Sequence, residues 1–238
     1  MTLSIVIPCY NEEKLIARNF EHILRQTVMP KEVIFVDNNS TDNSLRIAQG
    51  FADKFKRRGV DLVVLQEKRQ SQVFARILGF KSASSDLIGT LDVDSLICPR
   101  WVEIAKNVFS KDKRLIVISG PFNFYNAFVL KNVYFWFVFC SYKFIKPFYT
   151  MWGCNGVFKK ADYMSFGGLE GCAQMVKDLD LNYASDDIFL TEMFRLKGRS
   201  KFVWKLRAKG MERLAPGRDK EQIINLFKIK RYIKKKYG

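Results

Sequence analysis

Apolar residues in the first hundred positions follow two alternating rhythms. Short unbroken runs, "LSIVIP" (Leu3–Pro8), "KEVIFVDN" (Lys31–Asn38), "VDLVVLQ" (Val60–Gln66) and "LIGTLDVD" (Leu87–Asp94), have the length and β-branched content of buried strands. Between them the spacing changes. "NEEKLIARNFEHILRQ" (Asn11–Gln26) places Leu15, Ile16, Phe20, Ile23 and Leu24 at helical intervals, with Asn11 as the expected N-cap and acids in the first turn. "STDNSLRIAQGFADKF" predicts a second helix capped by Ser40 or Thr41, and "SQVFARILGFKSA" a third.

The second half is less regular. "LIVISG" reads as a strand, and Phe122–Tyr149 is dense in aromatics with scattered lysines. "GCNGVFKKADYMSFGGL" is glycine-rich, with Gly153, Gly156, Gly167 and Gly168 expected at tight turns. "ASDDIFLTEMFRLKG" predicts a helix opened by acids, "SKFVWKLRAKG" a strand, and "INLFKIKRYIKKKYG" a strongly basic end. No internal repeat or linker is visible, so a single domain is expected.

Strand–helix alternation implies a parallel sheet with right-handed crossovers, whose ligands bind beyond the C-terminal ends of the strands. Three strands end in polar clusters: Tyr10-Asn11-Glu12, Asp37-Asn38-Asn39-Ser40 and Asp92-Val93-Asp94. A parallel sheet brings all three to one rim.

Composition narrows the partner. The 238 residues hold 40 Lys+Arg against 24 Asp+Glu, a formal net charge of +16. That excess suits nucleic acid, an acidic membrane surface or phosphorylated small molecules. Five cysteines without a CxxC pair point to reduced thiols rather than a disulfide framework or a zinc knuckle. The start lacks a basic, apolar leader, and no apolar run reaches the roughly 18–20 residues of a spanning helix. A cytoplasmic protein is the expectation. His22, the only histidine, receives no role.

"SIVIPCYNEE", "VIFVDNNSTDNS", "FARILGFKSASSDLIGTLDVDS", "GCNGVFKK" with "FGGL", and "SDDIFLTEMFRLKG" stand in the order found in family 2 glycosyltransferases, which the chain therefore resembles. The resemblance implies an α/β fold of GT-A type: a Rossmann-like, mostly parallel sheet flanked by helices, with an acceptor-binding second half. It divides the domain into a nucleotide-sugar half (1–98), an acceptor half (99–215) and a basic tail (216–238). It also implies a UDP- or GDP-linked sugar donor, a divalent cation (Mg²⁺ or Mn²⁺) and inversion at the anomeric carbon. Pro8, Tyr10 and Glu12 match the loop that holds the nucleoside, and Asp37 the acid that bonds the base. Arg76 matches an arginine read as a phosphate contact, although Ile77 replaces the usual asparagine after it. Asp92-Val93-Asp94 matches the DxD motif. Asp186-Asp187 stands for the commoner Glu-Asp, with Asp187 as catalytic base. A basic group near the C-terminal end is expected too, from among Arg207, Lys209, Arg213 and Arg218.

The chemistry is consistent with those positions. A departing diphosphate develops negative charge that a divalent cation offsets, and hard cations use one or two carboxylates plus phosphate oxygens. Asp94 is expected to bind the metal directly; Asp92 reaches it through water or holds the ribose. An acid pair that merely caps the next element is the plain alternative. Asp187 accepts the acceptor's proton, and a helix N-terminus would favour its ionised form. "FKIKRYIKKKYG", read as an amphipathic helix, could lie on an anionic bilayer. It makes a peripheral enzyme on the inner face of the cell membrane, with a lipid-linked or other glycan acceptor, the leading expectation. Two other readings are a nucleotidyltransferase on the same fold and a non-catalytic basic module for nucleic acid or membrane. The first would want a glycine-rich basic loop where "CYNEE" stands. The second lacks a nucleic-acid motif and puts acids where a phosphate backbone would be repelled, so no nucleic acid is expected.

Overall fold

The computed structural model describes residues 1–125, 153–181, 186–211 and 218–238, the side chains of 218–227 excepted. Strands β1 (Leu3–Cys9) and β2 (Glu32–Asp37) are buried along their whole length. Their unbroken apolar runs follow from helices covering both faces of the sheet. β3 (Asp61–Gln66) lies at the edge and is exposed at both ends. In β1 the side chains alternate between faces: Ile5 and Ile7 enter one core with Phe20, Phe55 and Trp101, while Val6 enters the other with Phe80, Phe158 and Phe189.

The main sheet has seven strands in the order β3-β2-β1-β4-β8-β6-β9, with β4 at Leu87–Thr90, β6 at Leu115–Ser119, β8 at Gly156–Lys159 and β9 at Arg199–Phe202. β8 runs antiparallel between β4 and β6; every other pairing in this sheet is parallel. The expected mostly parallel α/β architecture is thus present, and strands from both halves of the chain share one sheet. A second sheet joins β5 (Leu96–Ile97), β10 (Ala208–Gly210) and β7 (Phe122–Phe124).

Several local expectations change. The first helix, α1, spans Glu13–Leu24 without a side-chain cap, and Asn11 instead holds a positive φ of 52° in the preceding loop. The second predicted helix breaks at Gly50 into α2 (Ser44–Gln49) and α3 (Ala52–Arg57), and Ser40 and Thr41 lie outside both. α4 covers Gln72–Ser82 and α5 Trp101–Lys111. The fourth strand stops at Thr90 rather than Asp94. Ser200–Gly210 does not make one strand: a turn closed by Leu206 N–H on the Val203 carbonyl sends its two ends, β9 and β10, into different sheets.

α6 (Lys160–Ser165) and α7 (Glu170–Asp178) follow β8; α8 spans Asp186–Lys197 and α9 Arg218–Tyr237. α9 packs on α8 and buries Ile229 and Ile233 completely. Ile229 and Ile233 of the basic tail are therefore spent on the protein's own core. Among the described residues no helix is long and apolar enough to cross a membrane. The aromatic block beyond Tyr125 lies outside them.

Candidate active site

The strand register delivers the predicted clusters to one rim. Cys9 of β1 lies opposite Asp37 of β2, which lies opposite Gln66 of β3. The loops beyond are tied together. Asn11 N–H donates to Ser40 Oγ (3.0 Å), Thr41 N–H to Asn11 Oδ1 (2.7 Å) and Glu12 N–H to Ser44 Oγ (3.0 Å). Asn38 Nδ2 donates to the carbonyls of Glu67 and Arg69, joining the third loop. Asn11 and Asn39 both adopt left-handed backbone, a conformation asparagine tolerates better than most residues.

Pro8 stands on β1 beyond Val6, where the neighbouring β4 has already ended, a place where proline costs little ladder bonding. Tyr10 is 48% exposed, its ring available on the rim. Glu12 is half-buried. Asp37 is buried: Oδ2 accepts Ser40 N–H (3.3 Å), while Oδ1 has no partner among the described residues. A buried, unsatisfied carboxylate oxygen at a ligand-binding rim is an acceptor waiting for a donor.

Beyond β4 the acids form a tight turn. Ser95 N–H donates to the Asp92 carbonyl (2.9 Å), and Asp92 N–H returns to Ser95 Oγ (3.3 Å). Val93 turns its side chain into the core, leaving only backbone for the rim. Asp94 is buried and accepts Met211 N–H (3.3 Å). Asn19 of α1, fully buried, supports the turn from beneath: Nδ2 donates to the carbonyls of Ser95 (2.7 Å) and Asp92 (3.3 Å). Sequence reading missed Asn19. Its signal was an uncharged polar residue on the apolar face that Ile16, Phe20 and Ile23 define.

Arg76 is not a solvated helix residue. It is 3% exposed and sits between two carboxylates: Nη2 bonds Asp92 Oδ1 at 2.7 Å, and Nη1 bonds Asp186 Oδ2. Gln72, one turn earlier on α4, adds Nε2 to the same Asp92 oxygen (3.1 Å). The guanidinium thus links the acidic turn to the first turn of α8. The paired acids hold its pKa above the ordinary arginine value despite burial. Gly153 makes room for it, since a Cβ there would come within 2.8–3.0 Å of the guanidinium.

Asp187, beside Asp186, is partly buried, and its Oδ1 accepts Ile188 N–H (2.8 Å). Burial first, then the Asp186 charge, push its carboxyl up to about 6, against the opposing pull of Arg76. The helix N-terminus was expected to favour the ionised form; desolvation and a like charge outweigh it here. Such a value suits a group that takes up a proton near neutrality. The nearby thiols do not compete. Burial raises Cys9 to about 12, and burial with the neighbouring aspartates holds Cys154 well above the ordinary thiol value.

Arg207 and Lys209 are exposed; Arg213 and the Arg218 side chain lie outside the described residues. For a divalent cation, the two carboxylates of Asp92 and Asp94 are the right chemistry, all oxygen and at one turn. Among the described residues no third acid, histidine or cysteine joins them, so a diphosphate and water would complete the shell. The residues fit a cation shared with a phosphorylated ligand.

The doubly covered, mostly parallel sheet with an acidic turn on its rim is a GT-A-type fold, shared with the solved structures below. Residues 4–163 match the model of Glycosyl transferase family 2, and the chain belongs to that family. It is 30% identical over 51% of its length to glycosyltransferase GlyG of Streptococcus pneumoniae, and 34% identical over 44% to an undecaprenyl-phosphate 4-deoxy-4-formamido-L-arabinose transferase of Serratia proteamaculans. These matches cover 40% and 33% of those proteins, so the chain spans less than half their length. Solved structures with the same fold include the mannosyltransferase PcManGT of Pyrobaculum calidifontis with GDP-Man and Mn²⁺ (TM-score 0.68, 19% identity, 90% of this chain and 57% of that one). Another is S. aureus TarS with UDP-GlcNAc (TM-score 0.63, 19% identity, 90% and 60%).

Proposed function

We propose that the chain transfers a sugar from a UDP- or GDP-linked donor to an acceptor hydroxyl with inversion. The observation that carries this is the ion-pair chain Asp92–Arg76–Asp186, which holds Asp187 beside the acidic turn of Asp92 and Asp94, its carboxyl raised by burial and the Asp186 charge.

In this reading Asp37 Oδ1 accepts a hydrogen bond from the base, Tyr10 stacks on it, and Pro8 and Glu12 shape its loop. Val93 offers backbone, and Asp92 and Asp94 would hold Mg²⁺ or Mn²⁺, which neutralises diphosphate charge when bound. Asp187 takes the proton from the acceptor hydroxyl. The acceptor oxygen then bonds to the anomeric carbon, while the bond from that carbon to the phosphate oxygen breaks and its electron pair leaves with the diphosphate. Arg76 fixes Asp92 and Asp186 relative to one another and, with Nε still unpartnered among the described residues, keeps an N–H for a phosphate of the sugar donor. Residues 1–98 hold the donor and 99–215 the acceptor. The Mn²⁺ and nucleotide-sugar complexes of proteins sharing the fold support the donor class, and the undecaprenyl-phosphate relative supports a lipid-linked or other glycan acceptor.

Thermal unfolding with UDP, GDP and their sugars, with and without Mn²⁺, tests the reading. One nucleotide should stabilise the protein in a metal-dependent way, by about 2.7 kcal/mol at a hundredfold excess over Kd. Asp94→Ala should lose that effect; Asp187→Asn should keep it and lose transfer. Stabilisation by no nucleotide, or transfer by Asp187→Asn, overturns the proposal.

A further inference from the structure

The basic tail is a fixed device rather than a loose one. Ile229 and Ile233 are buried on one side of α9, and at 100° per residue they lie within roughly 40° of each other. Lys228, Arg231, Lys234 and Lys235 occupy roughly 120° of the opposite side. All four are exposed, and none forms an ion pair with a described residue. The cations flanking the buried side are used internally. Lys230 pairs with Glu192 (3.6 Å) and Lys236 with Asp178 (3.6 Å), while Tyr232 also bonds Asp178. With Ile229 and Ile233 buried beneath it, the cationic stripe faces outward.

Its direction places it relative to the site. Tyr237 packs edge-on against Phe189, near the start of α8, and Lys230 meets Glu192 further along. α9 therefore runs antiparallel to α8, and its C-terminal end, with Lys234 and Lys235 in the last turn, approaches the end of α8 that carries Asp186 and Asp187. We infer that this stripe docks the protein on an anionic phospholipid bilayer, by charge alone and without inserting an apolar face, at the end of the molecule where Asp187 lies. A polynucleotide fits less well. Following the stripe past the C-terminal end of α9, it would approach Asp186 and Asp187, where its phosphates meet carboxylates. A bilayer touches the stripe without entering the rim. That docking delivers a membrane-borne acceptor to Asp187 rests on the proposed reaction; the docking itself does not.

The test is co-sedimentation of the full chain with vesicles of phosphatidylcholine and phosphatidylglycerol (1:1) and of phosphatidylcholine alone in 0.1 M NaCl. Binding should require phosphatidylglycerol and vanish at 1 M NaCl. Replacing Lys228, Arg231, Lys234 and Lys235 together by Gln should weaken it by about fivefold per cation, on the order of several hundredfold in all. The same variant should keep the thermal midpoint and nucleotide response of the parent, which separates lost docking from lost folding. Equal binding to neutral vesicles, unchanged binding of the quadruple variant, or displacement from the vesicles by equimolar single-stranded DNA overturns the inference. Vesicle binding without nucleotide stabilisation leaves the docking standing and removes the reaction; the converse removes only the docking.

Discussion

At the scale of single residues, the site's behaviour turns on three charges. Asp187 must be ionised to accept a proton, so activity should rise with pH through about 6. Asp186→Asn removes the like charge that helps raise this value, and the acidic limb should move to lower pH by about one unit. Arg76→Gln removes the opposing cation, and the limb should move higher. A pH–rate profile of the two variants checks the pair; shifts in the same direction would contradict the arrangement. Asp37, Asp92 and Asp94 were legible because each stands where an apolar strand run ends, and Asp187 because the acids that open α8 match the Glu-Asp pair of the resemblance. The ionisation tendency expected of Asp187 was wrong, because burial and the orientation of Asp186 arise only when distant segments meet. Asn19, and the clearance that Gly153 gives Arg76 beyond its expected turn, stayed hidden for the same reason: neither bears chemistry alone.

At the scale of elements, the acidic turn is held from three directions. α1 supplies Asn19, α4 supplies Arg76 and Gln72, and the segment before β8 supplies the space at Gly153. Gly153→Ala should displace a guanidinium that two aspartates pin, so it cannot simply swing away. We expect a fall in kcat on the order of 10–100-fold with nearly unchanged nucleotide binding, read by steady-state kinetics beside a thermal-shift titration. The alternation of strands and helices was legible because periods of 2 and 3.6 differ over a few residues. The strand ending at Thr90 and the division of Ser200–Gly210 were not. The first gives way to the turn that Asp92 and Ser95 close between them, and the second is split by the Leu206–Val203 turn and by Ala208 N–H joining the remote Pro121 carbonyl.

At the scale of the whole molecule, α9 closes the second core. Ile233→Ala should cost about 2–4 kcal/mol and lower Tm by roughly 5–15 °C, whereas Lys234→Ala should change stability by less than about 0.5 kcal/mol. Calorimetry of the two variants distinguishes a packed helix from a solvated tail; equal effects would refute the packing. The tail's composition announced its charge. That its apolar residues face inward depends on the groove α8 offers, which no local pattern encodes.

The bond between Arg76 and Asp186 joins positions 110 residues apart. At roughly 5–20 residues per second, a ribosome delivers the second about 5–20 s after the first. Until then the buried Arg76 lacks one of the two carboxylates that offset its burial, so the acidic turn takes its final form only when α8 docks.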